Sequence, residues 1–161
     1  MVQTYRSFAE QYRVWLTMAF DSIPASKYNY HPTPAQRTIG DIAQHLENAN
    51  YRLCAHFSGQ QYHMSAKDSL SDSVKARWPK DTLVTRLKAS LEYCDAALAQ
   101  LSDGMLAEPL PLMGPNTTRT APRVRFLLLY ITDLTDHWSQ IANYMRLNGL
   151  VPPSALPRTT R

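Results

Sequence analysis

Cysteine is almost missing from this chain: two residues, Cys54 and Cys94, stand in 161. Two thiols so far apart make neither a disulfide framework nor a CxxC pair. Lying inside helical patterns, they are expected to pack as small apolar side chains rather than act as nucleophiles. Glycine is scarce, at 5 residues, and no glycine-rich phosphate loop is present. No apolar run approaches the length that spans a bilayer. The N-terminus, MVQTYRSFAEQYR, lacks a basic segment followed by an apolar one, so no signal peptide is expected. These absences point to a reduced, cytoplasmic protein. An excess of one charge is lacking too: the formal charge is only +4, and Lys and Arg are scattered. The densest basic group, Arg119, Arg123 and Arg125, sits beside a proline-rich loop rather than along one face, so nucleic-acid binding is not expected.

Proline, in contrast, is plentiful, at 11 residues, and it clusters at Pro32 and Pro34, Pro109 to Pro115, and Pro152 to Pro157. Long stretches nearly free of breakers run between the clusters, as in a helical protein. A hydrophobic fraction of 44% and a charged fraction of 19% suit a globular chain, and the length suits one domain over 1–161. The spacing predicts a first helix from Gln3 to Ser22, with Tyr5, Phe8, Tyr12, Trp15, Leu16, Ala19 and Phe20 as its apolar stripe and Pro24 as its stop. An extended segment, Tyr28 to Arg37, is kept out of helix by Pro32 and Pro34. Thr38 then opens a second helix, with Asp41 completing a variant capping box. Its stripe is Ile39, Ile42, Leu46, Ala49 and Leu53, and Gly59 ends it.

After a polar connection from Gln60 to Pro79, a third helix starts near Lys80 or Asp81. It carries Val84, Leu87, Leu91, Cys94, Leu98 and Leu101, with Gly104 expected to close it. A fourth helix is expected from Ala121 to Asn148, capped by Thr120, with Pro122 in its first turn. Gly149, Pro152 and Pro153 stop it. No segment has the period of a strand. Four amphipathic helices with one apolar face each bury those faces against one another, so an all-α four-helix bundle is expected.

The residues that carry chemistry are the polar ones inside the stripes. The inward positions of the fourth helix read Phe126, Tyr130, Asp133, His137, Ile141 and Tyr144. Asp133 and His137 thus share the core face one turn apart, where i,i+4 side chains can chelate one ion. Alone, such a pair is more often a buried Asp–His hydrogen bond than a metal site. His45, at the edge of the second helix's stripe, adds a second imidazole. Two histidines and one carboxylate with open positions suit zinc, nickel or ferrous iron. His56 faces the same way as His45 but lies about 16 Å along the axis, too far to share an ion. His31 and His63 fall in loops without a partner. Asp136 and Asn48, near the ligands, are acid–base or supporting candidates, or ordinary solvated helix surface.

The runs YNYHPTPAQRTIGDIAQHLENANYRLC and DHWSQIANYMRLNGLVPP, with DTLVTRLKASLEYCDAAL between them, resemble the DinB-like (YfiT-like) family of metal-dependent enzymes. The shared features are PTPxxRT leading into the second helix, a ligand histidine matched by His45, and a histidine followed by an aromatic and YxRxxGxxPP at the end of the fourth. The resemblance implies an up-down-down-up bundle and three histidine ligands. His45 and His137 match two of them, while Asp133 stands where the family has the third. It also implies a low-molecular-weight thiol or other small-molecule substrate, thiol S-transferase or hydrolase chemistry, and a homodimer. Trp138, off the inward stripe, would be covered in such a dimer. The alternative is a non-catalytic, stress-related or ligand-binding bundle whose metal site is structural or vestigial.

Overall fold

The structure, a computed structural model, describes residues 1–62, 66–114 and 118–157. Its long elements are helices α1 (Val2–Ser22) and α2 (Ile39–Ser58), then, after the short helix α3 (Asp72–Lys75), α4 (Lys80–Ala99) and α5 (Arg123–Leu147). Apart from the C-terminal end of α4, the four long helices stand within two residues of their expected limits.

Local chemistry explains the boundaries. Thr38 Oγ1 accepts from the Asp41 N–H at 3.0 Å, and Asp41 Oδ2 accepts from the Thr38 N–H at 2.9 Å, so the capping box that opens α2 is complete. Gly59 and Gly149 follow α2 and α5 in the left-handed region, at φ 75° and 72°, a conformation that costs glycine nothing. Gly104 does not close the third long helix. Helix α4 stops at Ala99, and Gly104 lies in a 3-10 turn, Asp103–Ala107, whose first residue accepts from the Met1 amine and the Val2 N–H.

The expected start of α5 is also corrected. Thr120 does not cap it. Strand β1 (Pro109–Pro111) pairs antiparallel with strand β2 (Thr120–Pro122), and the helix begins at Arg123. Three-residue strands carry no alternation to read, and their prolines argue against a ladder. A two-stranded pair has free edges on which a missing N–H is harmless. Arg123, grouped above with Arg119 and Arg125 beside the proline-rich loop, is buried: it donates to Phe57 O, to Met105 O at 3.2 Å and to Glu108 Oε2 at 2.6 Å. It ties the hairpin to the end of α2.

Contacts between helices give the topology. Glu47 meets Arg86, Asn50 meets Ser90, and Cys54 meets Cys94, so numbers rise together and α2 and α4 run parallel. Arg6 meets Asp95 while Asp21 meets Lys88, so α1 and α4 are antiparallel. His45 meets Asp133 and His137 while Phe57 meets Tyr130, so α2 and α5 are antiparallel. The bundle is up-down-down-up, and the long connection before α4 carries the chain back along α2. Leu16, Phe20, Leu46, Phe57, Leu91 and Phe126 fill the middle with almost no exposure.

Three expectations about packing fail. Cys54 and Cys94 are not separate thiols but a buried disulfide between α2 and α4, with Cα atoms 5.3 Å apart. Parallel helices in register bring together positions that look remote in sequence, and a disulfide is at odds with a reduced compartment. Trp138 is not exposed: only 8% remains accessible, with its ring centroid 5.2 Å from that of Trp15. Phe8 is half exposed, because the seam of α1 runs through Val2, Ala9 and Leu16, seven residues apart, and Ala9 takes the inward place. No helix among the described residues is long and apolar enough to cross a membrane.

Candidate metal centre

His45 stands on the second turn of α2, and Asp133 and His137 stand one turn apart on α5. Antiparallel packing brings the three together. Nε2 of His45 lies 3.5 Å from Asp133 Oδ1, and Nε2 of His137 lies 3.6 Å from the same oxygen. All three donor atoms fall within 4.8 Å of one another, and the imidazole centroids are 4.6 Å apart.

Those distances discriminate between two uses of the residues. A direct Asp–His hydrogen bond has heavy atoms about 2.7–3.2 Å apart, so neither histidine makes one. Two donors sharing a tetrahedral ion at about 2.1 Å stand about 3.4 Å from each other, close to the observed pair of separations. Among the described residues Asp133 Oδ2 and His137 Nδ1 are buried with no hydrogen-bond partner, so the cluster does not satisfy itself as a polar network. Nitrogen and carboxylate donors of this kind fit a divalent first-row metal.

Exposure is graded across the site. The His137 side chain is only 5% accessible, while those of Asp133 and His45 keep 25% and 32%. Burial pushes the His137 pKa below its ordinary value, with nearby Asp133 pulling the other way and His45 and Arg37 adding to the depression. The imidazole is held neutral, the form that offers a lone pair to a metal.

The other sequence candidates lie elsewhere. His56 contacts Pro111 O at 2.9 Å and packs on Phe126. Half-buried His31 contacts Thr33 O at 2.7 Å. His63 is outside the described residues. Asp136 is exposed and accepts from Gln140 Nε2 at 2.8 Å, and Asn48 is half-buried outside the donor cluster.

Sequence reasoning missed a second buried polar cluster. Glu47 binds Arg86 at 2.5 Å, Arg86 also binds Asp68 and lies over Trp78, and Asn50 Nδ2 donates to Ser90 Oγ at 2.9 Å. Its signal was a second helical stripe on α2, Ala43, Glu47, Asn50, Cys54 and Phe57, all buried against α4 or the core. Ala49 and Leu53, assigned to the stripe, are only half-buried.

The sequence profile of the DinB superfamily matches residues 9–141. No curated protein matches the chain. Solved structures share the fold. A DinB-like protein from Bacillus subtilis superposes with a TM-score of 0.72 at 16% identity, over 96% of this chain and 99% of that one. YfiT from Bacillus subtilis, described as a probable metal-dependent hydrolase with an unusual four-helix bundle topology, gives 0.68 at 18% identity, over 92% and 88%. A mycothiol-dependent maleylpyruvate isomerase gives 0.68 at 13% identity, over 88% of this chain but only 60% of its own. The chain therefore spans about three-fifths of the isomerase. At these identities the likeness concerns the fold.

Proposed function

The chain belongs to the DinB superfamily, and we propose that His45, Asp133 and His137 hold a divalent metal ion that serves an enzyme of small-molecule chemistry, a thiol S-transferase or a hydrolase. The observation that carries this reading is the geometry: two imidazole nitrogens stand 3.5 and 3.6 Å from one carboxylate oxygen, too far for hydrogen bonds and spaced for a shared ion. Zinc, nickel and ferrous iron all suit the donors. Such an ion, when bound, lowers the pKa of a thiol or a water enough to make it a nucleophile near neutral pH.

The protein's own residues supply the rest. His137, buried and held neutral, is a donor for which protons compete poorly. Asp133 brings a negative charge to the site, and its carboxylate lies between the two imidazoles. His45 fixes the site to α2, so that the donors span two helices and their separation is set by core packing. Three protein donors leave a position open for the substrate atom. A low-molecular-weight thiol as partner draws support from the mycothiol-dependent structural neighbour, and hydrolysis from the description of YfiT.

A homodimer belongs to the same reading. Trp138 no longer argues for it. Phe8, Val14 and Met18 on α1 and Leu128 on α5, each 41–50% exposed, supply apolar surface that a second copy would cover.

Elemental analysis of protein purified without a metal-affinity tag tests the metal. We expect stoichiometric zinc, nickel or iron, lost in His45→Ala, which removes the only donor from α2. Asp133→His should keep or strengthen retention. Protein that carries no metal, takes none up, and is merely destabilised by Asp133→His would instead be a structural bundle with a vestigial site.

A further inference from the structure

We propose that a cavity between the start of α4 and the segment before α3 binds a small primary amine. Asp81, Thr82 and Thr85 receive the ammonium group, and Leu70, Trp78 and Pro79 receive the apolar body. None of these residues belongs to the cluster of His45, Asp133 and His137, so the inference stands apart from the metal reading.

The cavity holds about 590 Å3, an ordinary size for a small-molecule site. Leu70 lines it from one segment, and Trp78, Pro79 and the first two turns of α4 line it from another. Asp81 and Thr85 stand four residues apart on α4, with Thr82 between them, and all three are exposed. Threonines on a helix commonly return their hydroxyls to the preceding turn, as Thr132 and Thr135 do on α5. Thr82 and Thr85 do not. Among the described residues neither hydroxyl makes a hydrogen bond, and the Asp81 carboxylate has neither a hydrogen bond nor an ion pair. Three oxygen acceptors thus line one cavity with their bonding capacity uncommitted.

The charge of the wall selects a cation. Arg86 completes the lining, but its guanidinium binds both Glu47 and Asp68. Glu47 is only 5% exposed, and its Oε2 has no hydrogen-bond partner among the described residues. Glu47, Asp68 and Asp81 therefore set three carboxylates against one guanidinium. The neighbouring cations are drawn elsewhere: Arg77 Nε donates to Ser73 O at 2.9 Å, and Lys80 Nζ donates to Asp21 O at 2.6 Å. An excess of negative charge beside a cavity attracts a cation and repels an anion.

The acceptors decide which cation. A primary ammonium has three N–H donors, matched by one carboxylate and two hydroxyls. A quaternary ammonium donates nothing and depends on aromatic faces. This cavity has one aromatic residue, Trp78, and the Arg86 guanidinium already lies over its ring, 5.0 Å from the centroid. Trp78, Leu70 and Pro79 are left to cover an apolar body. The ligand is accordingly an amine with an aromatic or alkyl body.

The test is calorimetric titration with 2-phenylethylamine, which is protonated at neutral pH, its neutral counterpart 2-phenylethanol, and its trimethylammonium analogue. We expect wild type to bind the primary amine about tenfold or more tightly than either comparison, the difference that charge-assisted hydrogen bonds make. Asp81→Asn should weaken the amine by roughly tenfold, and so should Thr82→Val combined with Thr85→Val. All three positions are exposed, so thermal melting should show these variants folded. His45→Ala should bind the amine as wild type does. No binding of the amine to wild type, equal binding of the alcohol or the quaternary analogue, or undiminished binding to both variants overturns the site. Loss of binding in His45→Ala also overturns it, since the amine would then be held at the metal cluster. Failure of the metal reading alone would show as absent metal in wild type, with the amine result standing.

Discussion

His137 is the least accessible of the three donors, and its burial has a consequence that pH reads directly. The folded state holds its pKa below the ordinary 6.5, with desolvation outweighing the pull of Asp133. Above that value the imidazole is neutral in both folded and unfolded chains and contributes no slope. Below it the unfolded chain binds a proton that the folded chain declines, so stability falls with pH until the folded pKa is passed. Metal-stripped protein should therefore lose thermal stability as the pH falls below the ordinary histidine value of 6.5, and His137→Gln should flatten that part of the profile. Identical profiles for the two proteins would contradict the buried neutral imidazole. At this scale the convergence of the three side chains was legible in the sequence, because a carboxylate and a histidine four residues apart interrupt an otherwise apolar stripe. Glu47 and Asn50 were not, because a polar residue beside an apolar stripe reads as helix surface until the parallel neighbour α4 is known to cover it.

Helix boundaries were legible wherever a side chain or glycine terminates the backbone ladder locally, as at Thr38, Gly59 and Gly149. They were illegible where tertiary structure decides. The hairpin of Pro109–Pro111 with Thr120–Pro122 and the disulfide both depend on register between segments that no local pattern encodes. Thr38→Ala should cost about 1 kcal/mol in a denaturant titration, as an N-cap whose partner N–H is left bare. Gly40→Ala should cost more, about 1–3 kcal/mol, through overpacking. A Cβ there would run into the carbonyl oxygen of Ala76, where the connection after α3 crosses the first turn of α2. If Gly40→Ala is neutral, that crossing is not a fixed part of the fold. The Cys54–Cys94 bond joins positions 40 residues apart in sequence. By chain entropy, closing a loop of that size is worth about 4 kcal/mol, so reduced protein should melt well below oxidised protein. Alkylation of both cysteines in unreduced, denatured protein would show that the bond is absent.

In the whole molecule, α2 serves two neighbours with two different faces: its His45 side meets Asp133 and His137 of α5, and its Glu47, Asn50 and Cys54 side meets α4. The up-down-down-up path makes this possible by setting α2 parallel to one partner and antiparallel to the other. The outer face of α1 is left with Phe8, Val14 and Met18 exposed, and light scattering at micromolar concentration should find a dimer, with charged substitutions at Phe8 and Met18 dissociating it. A monomer throughout would leave those residues as isolated surface hydrophobics. The metal centre itself is tested most directly by a crystal structure of metal-loaded protein, with data collected at the absorption edge of the ion. The expected result is one anomalous peak within about 2.0–2.2 Å of His45 Nε2, His137 Nε2 and an Asp133 carboxylate oxygen. A loaded crystal with its peak elsewhere, or with the three side chains turned apart, would contradict the assignment.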